Sequence, residues 1–144
     1  MDKGFFGDLL LKFVNGTTWV VHQEKDKPFG FKLADGRAIV PRHGQPTDFA
    51  SIPWFFRRVL PKTGTRHMQY GRSAVIHDVL YRTQEIDGQQ VERAFADWLM
   101  KEAMVLDGVP KIIALIIYVA VRIGGAKAWK ESTHKLGLIK TGGV

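Results

Sequence analysis

At 144 residues, with 45% apolar and 24% charged residues, the chain is long enough to bury one sizeable core and too short for two ordinary domains. It has no cysteine, which excludes disulfides, thiolate metal sites and cysteine nucleophiles. The net charge of +7 favours anionic partners, but the 21 lysines and arginines are spread along the whole chain and form no specific nucleic-acid motif. The start of the chain lacks the charged, apolar and small-residue regions of a signal peptide. The most apolar run, residues 112–121, is about half of the roughly 20 residues a transmembrane helix needs, so it reads as a buried or interfacial helix.

In chain order, the first third predicts strands. Residues 9–14 and 17–22 flank Asn15-Gly16, a pair that readily takes the positive φ angles of a tight hairpin turn. Residues 29–33 and 37–40 repeat the pattern around Asp35-Gly36, and Pro41 stops the last strand because it has no N–H to donate. Residues 42–69 read as an irregular loop holding a short helix at 54–60. A helix centred on residues 73–82 follows, then a turn at Asp87-Gly88. Residues 91–106 carry Phe95, Leu99, Met100, Ala103 and Met104 at helical spacing and end at Gly108 and Pro110. A last helix runs from 111 to about 129 and loosens at Gly124-Gly125. The expected architecture is one α+β domain over 1–144: N-terminal antiparallel β-hairpins (1–41), the loop region (42–69), three to four α-helices in all, the main helical part at 70–129, and a basic tail (130–144).

The candidate chemistry lies in the middle of the helical part. His77 and Asp78 interrupt the apolar segment 74–80, and the helical period puts His77 and Tyr81 on one face with Asp78 turned about 100° away. The next helix, an antiparallel neighbour across a short reversal, carries Asp97 between Ala96 and Trp98. A carboxylate there needs a partner, and either His77 or Arg93, one turn earlier on the same helix, can supply it. Asp48 sits among Phe49, Ile52, Trp54 and Phe55, where it either caps a turn or acts as a ligand or catalytic carboxylate on a loop. The plain structural reading of the helix pair is a satisfied core histidine in a hydrogen-bonded network.

The motifs Thr47-Asp48-Phe49-Ala50-Ser51-Ile52-Pro53, His77-Asp78-x-x-Tyr81-Arg82 and Ala96-Asp97, with the 118–129 helix, resemble a family of small proteins encoded by tailed bacteriophages and prophages, a domain of unknown function. That resemblance implies a phage origin, with phage virion or tail proteins or a bacterial envelope component as partners. It places the protein in the bacterial host cytoplasm during assembly or in the virion. The His-Asp-x-x-Tyr arrangement with an opposing Asp is also similar to the active site of secreted calcium-dependent phospholipases. By that similarity His77 is the general base, Asp97 orients it, Tyr81 holds Asp97, and Asp78 binds calcium with Asp48 as a second oxygen ligand. The chain departs from those enzymes in having no disulfide and no glycine-rich calcium loop. A His-Asp phosphohydrolase pattern, with His43 or His67 as an additional ligand, fits the spacing less well, and zinc is a less favoured metal here than calcium.

Three functional classes follow. The first is a hydrolase acting on an ester or other cell-envelope bond through His77 and Asp97. The second is a non-catalytic virion or tail-assembly protein, and the third a basic host-interaction protein presenting an exposed apolar or basic patch, with Trp54, Phe55 and Phe56 as candidates. Oligomeric state is not legible in the sequence.

Overall fold

Alternating strand formers and turn residues at the N-terminus build two small antiparallel sheets, and the helices that follow pack over them. The structure, a computed structural model, describes residues 3–16, 18–47 and 67–137, of 67–70 the backbone only. The candidate ligand Asp48, the expected helix at 54–60, the aromatic residues Trp54, Phe55 and Phe56, and the His67 side chain lie outside the described residues.

The expected hairpins form, but each belongs to a different sheet. Strands β2 (Leu10–Val14) and β3 (Thr18–His22) pair with Leu10 opposite His22 and Val14 opposite Thr18. That register gives the turn three residues instead of two. Asn15 and Gly16 take the positive φ angles foreseen for them, 54° and 66°. Strand β6 (Pro46–Thr47) adds to the far edge of β3, within the stretch read as irregular loop. Pro46 is tolerated there because β6 is an edge strand. The second hairpin, β4 (Gly30–Lys32) with β5 (Ala38–Ile39), is joined on its other edge by β1 (Gly4–Phe6), which the sequence pattern did not signal. Phe5 explains β1: its ring lies edge-on to Phe31 at 4.9 Å and stacks on Phe29 at 5.9 Å, so the strand is held by aromatic burial more than by its short ladder.

Gln23 fixes the path between the sheets. Its Oε1 accepts from Phe29 N–H (2.8 Å), and its Nε2 donates to the carbonyls of Phe29 (2.9 Å) and Pro41 (2.8 Å). One amide thus satisfies three backbone groups that no strand serves.

Helix α1 (His67–Thr83) starts six residues before the expected segment, and α2 (Arg93–Leu106) returns antiparallel to it after a two-residue hairpin, β7 (Glu85–Ile86) and β8 (Gln89–Gln90). Its turn residues Asp87 and Gly88 both have positive φ, as the Asp-Gly signal requires. The expected helix over 111–129 is two helices: α3 (Lys111–Gly124) and α4 (Ala126–Lys135), bent by 58° at Gly125. Helical structure therefore continues into the stretch read as a basic tail. Buried Gln84 holds α4 in place, its Nε2 donating to the Trp129 carbonyl and to Thr133 Oγ1, each at 2.9 Å.

One core cluster joins Val21, Phe29, Phe31 and Ile39 of the sheets to Val75, Ile76, Leu80, Leu99 and Ala103 of α1 and α2. A second lies between α2 and α3 and contains Met100, Met104, Val109, Ala114, Ile117 and Val121. No single described helix is long and apolar enough to cross a membrane. Removing the Gln23 amide should leave those three backbone groups unpaired. Gln23→Ala is expected to lower the unfolding free energy by about 1–3 kcal/mol in urea titration, whereas an unchanged midpoint would show that the amide is not what ties the two sheets.

Candidate functional site

The site is assembled by the α1–α2 reversal. The spacing from His77 to Tyr81 is one helical turn, so both rings leave α1 on the same side, 4.2 Å apart between centroids. Across from them α2 presents Asp97, whose side chain is fully shielded from solvent. His77 Nε2 lies 2.8 Å from Asp97 Oδ1, and the Tyr81 hydroxyl donates to the same oxygen at 2.6 Å. The other oxygen, Oδ2, accepts from Arg122 Nη1 at 2.9 Å and from Arg93 Nη1 at 3.4 Å. Of the two partners the sequence allowed for Asp97, both are used. Four donors from three helices therefore converge on one buried carboxylate.

The electrostatics follow from this packing. Burial pushes the Asp97 pKa up, but the hydrogen bonds from His77, Tyr81 and Arg122 outweigh it and hold the carboxyl below its ordinary value. Asp97 is thus ionised and can only accept, so the proton on the bridging histidine nitrogen belongs to Nε2. Tyr81 shifts the opposite way. Burial, then the hydrogen bond to Asp97, raises its pKa well above the ordinary tyrosine value, so it stays a hydroxyl donor.

Two members of the cluster were not foreseen. Arg122 ends the apolar stretch of α3; its signal was an isolated cation in an otherwise apolar helix, which needs an acidic partner once its backbone is packed. Gly125 is the other. A Cβ there would overlap the Tyr81 hydroxyl and lie 2.7 Å from the Val121 carbonyl and 3.3 Å from Arg93 Nη1. Arg93 Nη1 also donates to the carbonyls of Val121 (3.3 Å) and Arg122 (3.2 Å), capping the end of α3 at the bend. Trp129 of α4 closes the far side with an edge-on contact to Tyr81 at 5.1 Å.

The His77 side chain is 15% exposed. Among the described residues its Nδ1 has no hydrogen-bond partner. Asp78 is turned away, as the helical period requires, and both its oxygens accept from Arg82 Nε at 3.0–3.1 Å. His43 takes no part in the cluster: its Nδ1 accepts from Gln23 N–H at 3.0 Å and its ring packs against His22.

Of the two expected calcium ligands only Asp78 lies among the described residues. Among the described residues no group of three or more His, Cys, Asp or Glu is placed to hold a metal ion. With Asp78 engaged by Arg82, the described residues do not compose the cage of about six to eight oxygens that calcium takes.

Two outcomes test this geometry. In an ultraviolet pH titration, Tyr81→Phe should remove a component that resists ionisation until alkaline unfolding; loss instead of a component in the ordinary tyrosine range would contradict it. The Asp97 contribution to stability is present above the unfolded carboxyl pKa of about 3.9 and fades as pH falls through the lower folded value. Asp97→Ala should therefore cost about 3 kcal/mol at neutral pH and less in acid, measured by urea unfolding at both.

No curated protein and no solved structure significantly matches the chain. The model of a family described as protein of unknown function (DUF1353) matches residues 24–121, about two thirds of the chain. The matched span takes in His77, Tyr81, Arg93 and Asp97 and stops one residue before Arg122. On that match, the chain belongs to the DUF1353 family.

Proposed function

We propose that the protein is a phage-encoded hydrolase in which His77 serves as general base toward an ester or similar bond of the bacterial envelope. The observation that carries this reading is which histidine nitrogen is occupied. Nε2 donates to an ionised, buried Asp97, so in the neutral ring the lone pair is left on Nδ1, which has no hydrogen-bond partner among the described residues. Asp97 fixes the tautomer, and Tyr81 with the two arginines fixes Asp97.

The step this arrangement supports is direct attack by water. Water oxygen bonds to the carbonyl carbon as its proton passes to His77 Nδ1. Asp97 faces the positive charge that forms on the ring. When the carbon–oxygen bond to the alcohol breaks, the same proton passes from Nδ1 to the leaving oxygen, and the histidine returns to its starting form. Orienting and proton transfer of this kind contribute roughly 100- to 10,000-fold in rate.

A second reading, a non-catalytic virion or tail-assembly protein, is favoured by one specific observation. Asp97 draws donors from α1, α2 and α3, and Arg93 also caps the end of α3, so the cluster ties the helices together whether or not it turns over a substrate. The two readings part at His77. Asp97 retains three donors without it, so the hydrolase reading expects His77→Gln to keep its melting temperature within a few degrees while esterase activity on short-chain nitrophenyl esters and phospholipids falls by at least about 100-fold. If wild type turns over none of these substrates and His77→Ala loses about 1–3 kcal/mol of stability, the assembly reading stands instead.

A further inference from the structure

Helix α3 has two apolar faces, and among the described residues only one is packed. Ala114, Ile117 and Val121 are buried against α2, but Ile112, Leu115, Ile116, Val119 and Ile123 stand 42–80% exposed. Their spacing of three, four, seven and eleven residues from Ile112 places all five within an arc of about 100°, a continuous aliphatic stripe along the outer side. Isolated exposed aliphatics are ordinary, whereas five on one helix face are a surface with a use.

We infer that this stripe seats the protein on an anionic phospholipid surface, with α3 lying in the plane of the interface. Charge complementarity selects that occupant. Helix α3 contains no acidic residue, and beyond the 58° bend α4 exposes Lys127, Lys130 and Lys135 against a single acid, Glu131, which lies 4.0 Å from Lys127. Lys111 stands exposed at the other end of the stripe, and the whole chain carries +7. The stripe itself holds no aromatic ring and no hydrogen-bonding side chain, the groups that concentrate at the centres of protein–protein interfaces. An aliphatic face with exposed lysines at its start and on the following helix is what a helix needs to enter the headgroup region, and at 14 residues α3 alone is too short to cross the bilayer. The inference stands whether or not His77 is catalytic.

The test is flotation of the full-length protein with vesicles of phosphatidylglycerol and phosphatidylcholine in equal parts, beside vesicles of phosphatidylcholine alone, at low and high salt. The expected result is binding to the anionic vesicles that salt weakens. Ile116→Gln and Ile123→Gln should each lower the partition about tenfold, and Lys127→Gln with Lys130→Gln several-fold, with melting temperatures unchanged because these side chains are exposed. Because the chain has no cysteine, an environment-sensitive dye on Ile112→Cys reports insertion directly as a blue shift on anionic vesicles. Absence of binding to anionic vesicles, or binding that the stripe variants leave intact, would overturn the inference. So would a dimer in sedimentation equilibrium that Ile116→Gln dissociates, since the occupant is then a second copy of the chain.

Discussion

An ionised carboxylate sealed from water is unstable unless donors replace the water it has lost, and Asp97 obliges the surrounding helices to supply them. His77 and Tyr81 come from α1, Arg93 from the same helix as Asp97, and Arg122 from the end of α3. Each donor fixes something beyond itself. The Tyr81 hydroxyl requires the bare backbone of Gly125 beside it; Gly125 is where α3 turns into α4; and Arg93 caps the carbonyls that the bend leaves open. The geometry of the helical half is in this sense a consequence of satisfying one charge.

The same constraint sorts the two nitrogens of His77. A carboxylate that can only accept takes the Nε2 proton, which puts the basic lone pair on Nδ1. A structural network and a general-base site place identical demands on Asp97, so the distinction between them lies in what His77 Nδ1 does. Helix α3 shows a comparable division. Arg122 turns inward to Asp97 while the next residue, Ile123, is the most exposed large apolar side chain described, so one element connects the buried cluster to an outward aliphatic surface.

Much of this could be read from residue order, and the failures have physical causes. Helical periodicity separated His77 from Asp78, and the short Asp87-Gly88 reversal brought Asp97 opposite His77, because both depend on local geometry alone. Arg122 and Gly125 were missed since each matters to the cluster through a residue more than 20 positions away in sequence, Asp97 and Tyr81 respectively. Strand β1 was missed because its stability comes from Phe5 packing on Phe29 and Phe31 across the sheet, which a three-residue segment does not announce. The single apolar helix expected over 111–129 is two helices, because a glycine pair permits a bend as readily as continuation.

The measurement that bears most directly on the central claim is the tautomeric state of His77, read from long-range nitrogen–proton correlations in the imidazole of uniformly labelled protein at mildly alkaline pH. A proton on Nε2 and an unprotonated Nδ1 is the result this account predicts, with the assignment to His77 made from the His77→Gln spectrum. A neutral ring carrying its proton on Nδ1 would contradict it, because Nε2 could then not donate to Asp97 and Nδ1 could not serve as a base.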